Sequence, residues 1–138
     1  MRDYRRRRAR LVASGLACVL ASALTALTSA DPRPKVIRLE AEGRGYVRLL
    51  GGPPETSTMR SGLVTLAPGT TVGKHSTQGF EELVIVLEGQ GELRVTGGET
   101  LRLSEGTAAY CPPRTEHDVV NTGTKPLRYI YVVAEAKQ

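Results

Sequence analysis

A chain of 138 residues has room for one hydrophobic core and, with it, one site. Its net charge of +5 would suggest a nucleic-acid partner if it were spread over a folded surface, but six arginines before residue 11, set against Asp3, supply all of it. Residues 31 to 138 carry thirteen basic and thirteen acidic side chains, so the folding portion is neutral and lacks the basic patch that nucleic-acid binding requires.

The chain opens on Arg2, Arg5, Arg6, Arg7, Arg8 and Arg10, continues through an uncharged run from Leu11 to Ala30, and ends that run in Thr28-Ser29-Ala30. This three-part order predicts a secretory signal peptide over residues 1–30, cleaved after Ala30, and an exported protein, periplasmic or secreted. Twenty uncharged residues also have the length of a membrane anchor. Ala, Ser, Thr and Gly dilute the segment's hydrophobicity, which favours cleavage and leaves no membrane attachment afterwards. Adjacent arginines fit a twin-arginine export route as well. Removal of the leader takes Cys18 with it and leaves Cys111 alone, so the mature chain is expected to have no intramolecular disulfide. Cys111 stands in an apolar run before Pro112 and reads as a small buried hydrophobe.

Residues 31–35, with two prolines in a polar context, read as a linker, and residues 36–138 as a single domain. Within it, short runs rich in β-branched and aliphatic residues predict strands at Val36–Leu39, Tyr46–Leu50, Leu63–Leu66, Glu82–Leu87, Glu92–Val95, Thr100–Leu103, Thr107–Cys111, His117–Val120 and Leu127–Val133. Gly, Pro, Asn and Thr clusters separate them, and no window of helical length keeps a 3.6-residue apolar period. Short strands at this spacing favour an all-β sandwich, jelly roll or closed barrel.

His75 and His117 are the only histidines in the chain, and each lies in a segment punctuated by glycine or proline. A two-residue turn at Gln78-Gly79 would pair Thr77 with Phe80, Ser76 with Glu81, and His75 with Glu82. Directly opposed residues hold their Cβ atoms about 4.5–5.5 Å apart on one face, within reach of a shared ion. Thr77 points to the same face, two residues on from His75. The same parity turns Val84 and Val86 inward with Glu82, and Leu83, Ile85 and Leu87 to the opposite face, so the strand reads as apolar on both sides. A carboxylate inside such a strand needs a partner or an ion, because an isolated buried charge is very costly. Glu81 points away from His75 and reads as a solvated or interface charge. In the second segment a strand ends at Pro112-Pro113, turns, and re-enters at His117, which lets a distant stretch of chain supply a third ligand.

Together these segments resemble the two motifs of the cupin superfamily. Gly69, His75, Glu82 and Gly89 stand at the spacing of the first, with Thr77 where a second histidine is usual; Gly106, Pro112, His117 and Asn121 stand at that of the second, with Arg114 in place of a glycine. The resemblance covers most of residues 63 to 133. It implies a cupin-type double-stranded β-helix, a jelly-roll barrel, with His75, Glu82 and His117 as ligands of one divalent metal in its mouth. Two imidazoles and one carboxylate suit Mn, Fe, Ni or Zn, with positions left for water and substrate. Thr77 is expected to hydrogen-bond a metal-bound water or substrate, while Arg114 and Tyr110 are candidates to place substrate, against plainer readings as a solvated loop arginine and a packed strand tyrosine. Tyr129 and Tyr131 read as strand packing with the option of lining the pocket.

Such a site can serve a small metalloenzyme of dioxygenase, isomerase, decarboxylase or lyase type acting on an oxygenated small molecule. It serves equally a non-catalytic binding or sensor protein, and a barrel that has lost its metal is a third reading. No general base other than Glu81 or Glu116 is apparent in sequence near the site, which inclines the chemistry toward redox or Lewis-acid work. A homodimer is expected, because a small barrel tends to leave a sheet edge or apolar face in need of cover.

Overall fold

The computed structural model describes residues 32–40 and 45–137. The expected leader, residues 1–30, lies outside them.

Among the described residues eight strands form, all paired antiparallel: β1 (Tyr46–Gly51), β2 (Arg60–Leu66), β3 (Phe80–Glu88), β4 (Gln90–Val95), β5 (Thr100–Ser104), β6 (Ala108–Cys111), β7 (His117–Val120) and β8 (Leu127–Glu135). They make two sheets, a five-stranded one in the order β1-β2-β8-β3-β6 and a three-stranded one in the order β5-β4-β7. Consecutive strands repeatedly change sheet, as a jelly roll requires. The sharpest change is between β3 and β4, where one residue, Gly89, makes the turn with φ +83°. A Cβ there would lie 2.4 Å from the carbonyl oxygen of Pro126, so both the backbone conformation and the space call for glycine.

Alternation along the strands builds the core between the sheets. Val64 and Leu66 on β2, Val84 and Val86 on β3, Leu93 on β4, Leu103 on β5, Val119 on β7 and Leu127 and Tyr129 on β8 all point inward and are buried. Removing a Val or Leu side chain from water contributes roughly 1.5–3 kcal/mol each. Asn121 is the polar member of this interior: its amide donates to the carbonyls of Leu66 and Lys125, and its oxygen accepts from Gly123 N, all at 2.9 Å. It thereby ties the turn after β7 to the end of β2.

Three local expectations are corrected. Val36–Leu39 forms no strand, and Val36 is 95 % exposed, because no neighbouring strand offers its backbone a ladder. The outer face of β3 is only half covered, with Leu83 39 % exposed, so the strand is buried on its inner face alone. The turn closing Thr77 to Phe80 does form, Phe80 N donating to Thr77 O at 3.1 Å, but the hairpin ends there. Both edges of β3 are already occupied: Glu82 pairs with Cys111 on β6 and with Val133 on β8. His75 is therefore displaced to the other sheet, where it bridges His117 through two backbone hydrogen bonds of 2.9 and 2.8 Å.

Candidate metal centre

Three separate stretches of chain converge at one end of the barrel. β3 supplies Glu82 from its inward row, β7 supplies His117 as its first residue, and the segment before β3 supplies His75 from its bridge onto β7. Glu82 and His117 are buried, at 5 % and 0 % exposure, whereas His75 stands at the open side. His117 Nε2 lies 3.2 Å from Glu82 Oε2, and His75 Nε2 lies 4.0 Å from the same oxygen. Two ligands each about 2.1 Å from one ion are at most about 4.2 Å apart, so both separations suit a shared metal. One donor atom from each of the three residues falls within 4.8 Å of the others.

The local backbone decides which nitrogen each ring presents. His75 Nδ1 lies 2.9 Å from the carbonyl of Gly73, and His117 Nδ1 lies 3.0 Å from the carbonyl of Thr115, the same two-residue step back in both cases. A carbonyl only accepts, so each Nδ1 carries a proton, and in the neutral ring that a metal requires each Nε2 is the lone pair, directed at Glu82. This is the arrangement by which outer partners orient metal-binding histidines. The donor set has a second mark of fit: Glu82 Oε2 and His117 Nε2 are buried without a hydrogen-bond partner, their 3.2 Å contact being misaligned for one. Buried polar atoms seldom go unpaired, and an ion between the two nitrogens and the carboxylate would satisfy both.

Without a metal, the His117 imidazole is pushed up to about 10, by the Cys111 side chain first and the Glu82 carboxylate second, with the Thr115 carbonyl adding to them against the opposing effect of burial. Burial also raises the Tyr129 and Tyr131 phenols, with Tyr46 adding to the effect on Tyr131 through their hydrogen bond. Both phenols stay protonated and serve as donors.

A cavity of about 390 Å³ opens over His75 and Glu82, with His117 buried behind them, walled by Val64, Val72, Val119 and Val133 and carrying three tyrosines, Tyr46, Tyr129 and Tyr131. Thr77 lines it beside His75 and Glu82, but its hydroxyl donates to the Phe80 carbonyl at 2.7 Å, so toward the cavity it offers an acceptor. Tyr110 and Arg114 do not line this cavity. Tyr110 pairs with Leu83 on the outer row, is 53 % exposed, and donates from its hydroxyl to Glu81 at 3.0 Å. Arg114 is exposed in its turn with φ 61° and uses its backbone N–H to reach the Gln78 carbonyl. Glu81 sits on the outer row as its parity predicts, and neither it nor Glu116 reaches the cavity. Sequence reasoning missed Tyr46, whose place in the wall depends on a pairing between β1 and β2 that no local pattern announces.

Comparison with known proteins agrees with this fold. A family model described as a cupin domain, Cupin 2, matches residues 62–133, which contain all three converging residues, the whole of β3 to β7 and most of β2 and β8. An uncharacterized protein of Methanocaldococcus jannaschii, MJ1618, is 32 % identical over 73 residues, a stretch that covers 53 % of this chain and 56 % of that protein. The chain thus spans little more than half the length of that relative. Among solved structures, a Cupin 2 conserved barrel domain protein from Salinispora arenicola is 27 % identical with a TM-score of 0.57, covering 77 % of this chain and 89 % of the other. BH2720 from Bacillus halodurans superposes with a TM-score of 0.64 at 23 % identity, over 79 % and 88 % of the two chains, a likeness of fold. The Schizosaccharomyces pombe Cnp3 cupin domain aligns with a TM-score of 0.59 at 19 % identity, over 66 % of this chain and 64 % of that one. With its jelly-roll sheets and a matched segment spanning more than half its length, the chain belongs to the cupin superfamily, in its type 2 branch.

Proposed function

We infer that this cupin holds a divalent transition metal through His75, Glu82 and His117 and uses it to bind and transform a small oxygenated molecule. The observation that carries the reading is the orientation of the two imidazoles: each Nδ1 is committed to a backbone carbonyl, and each Nε2 faces a buried carboxylate oxygen that has no other partner. Such a metal would supply Lewis-acid or redox chemistry to a bound carbonyl, carboxylate or enediol. The chain's own residues would do the rest. The valine walls exclude water, the phenols donate hydrogen bonds, and Thr77 accepts one. A divalent ion with two neutral imidazoles and one carboxylate keeps one net positive charge, which a monoanionic ligand balances.

Among the described residues, no carboxylate or amine other than the ligands lines the cavity, so no side chain is placed to act as a separate base. That observation also favours the second reading, a protein that binds its acid at the metal without turning it over. Export after cleavage at Ala30 belongs to the same proposal and rests on the order of charges in residues 1–30.

Metal analysis of protein purified without chelator tests the site. One ion of Mn, Fe, Ni or Zn per chain is expected, and its loss in His117→Ala. A wild-type chain with no bound ion, and none taken up from added salts, would refute the reading. Turnover of a panel of small oxygenated acids by the loaded protein, absent in His117→Ala, separates catalyst from binder. N-terminal sequencing of the exported protein should begin at Asp31.

A further inference from the structure

The cavity carries a second polar feature that the metal ligands do not use. Tyr46 on β1 and Tyr131 on β8 belong to strands separated by β2, yet their rings stack with centroids 6.3 Å apart and planes 11° from parallel. Their hydroxyls lie 3.0 Å apart. The register explains how they meet. Gly62 of β2 faces Arg48 on one side and Tyr131 on the other, and the next inward residue of β2, Val64, faces Tyr46, so the two rings approach each other diagonally across Gly62. A Cβ at that position would come within 2.7 Å of a ring carbon of each tyrosine and 3.0 Å of the Tyr131 hydroxyl. Glycine in the middle of a paired strand normally weakens it, and here it marks the close approach of another group. The following inward positions, Val64 and Leu66, carry ordinary core side chains.

Two hydrogen-bonded hydroxyls spend one proton on each other and keep one to donate outward. Phenols are protonated at neutral pH, so that donor is present throughout the physiological range. Both tyrosines line the cavity that holds His75, Thr77 and Glu82, and Tyr46, at 52 % exposure, places the pair toward the mouth. No lysine or arginine lines this cavity among the described residues, so none is placed to pair directly with a second anionic group on the ligand.

We propose that the Tyr46–Tyr131 pair, braced across Gly62, is a specificity-determining second pole of the site, donating a hydrogen bond to a neutral carbonyl or hydroxyl oxygen of a small monoanionic acid. The proposal rests on the metal-centre reading above, because the acid's charged end is assigned to the ion held by His75, Glu82 and His117. The ligand class is thus a short acid with an apolar spacer and one uncharged oxygen function.

Calorimetric titration of the metal-loaded protein with matched acids tests this: pentanoate, 4-oxopentanoate and glutarate, with their six-carbon homologues hexanoate, 5-oxohexanoate and adipate. Metal content is measured in every sample before any acid is added. An oxo acid should bind about five- to tenfold tighter than the counterpart with a methylene in place of its carbonyl, the worth of one net hydrogen bond. The double variant Tyr46→Phe/Tyr131→Phe, which removes both donors of the pair, should reduce that preference to less than about twofold while metal content stays at the wild-type value. Gly62→Ala retains both hydroxyls but forces the rings apart, and should lower the preference as well. The proposal is overturned if the loaded wild type does not discriminate, if a dicarboxylate binds best, or if the double Phe variant keeps the oxo-acid preference. A wild-type chain that takes up no metal overturns the metal-centre reading and the proposal together, and the prior metal analysis identifies that case.

Discussion

At His75 and His117 the same short-range device orients the ring before any ligand arrives. A ring whose Nδ1–H is held by the carbonyl two residues back has no freedom to present the wrong nitrogen. At His117 the imidazole is raised from an ordinary 6.5 to about 10 in the metal-free protein, so an incoming ion has to displace a proton. Below pH 10, apparent metal affinity should therefore rise about tenfold per pH unit, with about one proton released per ion. Calorimetry in two buffers of different ionisation enthalpy reads that proton directly. The sign for metal-free stability is opposite: a raised pKa favours the folded state fully below pH 6.5, and that contribution fades as pH climbs toward 10. Asn121 acts at the same scale but without chemistry. Its three hydrogen bonds, two donated and one accepted, lie at 1 % exposure, and Asn121→Ala should cost about 2–4 kcal/mol in a denaturant titration. The motif's spacing marks this residue in the sequence, whereas its role as a tie between β2 and the turn after β7 depends on partners 55 positions and 4 positions away.

Among the elements, β3 is the strand on which the site depends. Its inward row holds Glu82, Val84 and Val86 at 5 %, 0 % and 2 % exposure, so the carboxylate is presented to the cavity from a fully packed base. The alternation of β3 is legible from residues 82 to 87 alone, and so is the inward direction of Glu82. The partner of His75 is not. A local pattern favours the nearest ladder, which would be a hairpin onto β3, but β8 and β6 fill both edges of that strand and send His75 to β7. The two imidazoles consequently reach the carboxylate from the sheet facing β3, their ring centroids 4.6 Å apart. Where β3 gives way to β4, Gly89→Ala would impose a left-handed backbone on alanine and press its Cβ on the Pro126 carbonyl. The backbone term alone is about 1–2 kcal/mol, so thermal unfolding should show a loss of at least that size. Metal stoichiometry of the folded fraction should be unchanged, because Gly89 lies outside the ligand set.

For the whole molecule, the barrel leaves one outward surface incompletely covered. Leu83 and Tyr110 stand side by side on β3 and β6, 39 % and 53 % exposed, and β6 closes the five-stranded sheet as its edge. A second copy of the chain packed on this face would cover the apolar side chains and the strand edge together, which is the form the proposed homodimer takes. Light scattering after size exclusion is expected to give twice the chain mass at micromolar concentration, and Leu83→Lys to shift it toward the monomer. A monomeric wild type at that concentration would remove the homodimer from the account.

By itself the sequence determined the all-β class, all eight of its strands to within three residues at either end, the inward turn of Glu82, and the identity of the three residues that converge. The first three follow from alternation and from glycine and proline punctuation, which act over a few residues; the set of three is what the resemblance to the cupin motifs implies, since the hairpin that would pair His75 with Glu82 does not form. Tertiary structure alone decided that His75 would pair with His117, that Tyr110 and Arg114 would face away from the cavity, and that Tyr46 would meet Tyr131 across Gly62. Those outcomes depend on which strands compete for the same edge, and that competition involves segments tens of residues apart, beyond the reach of any local pattern.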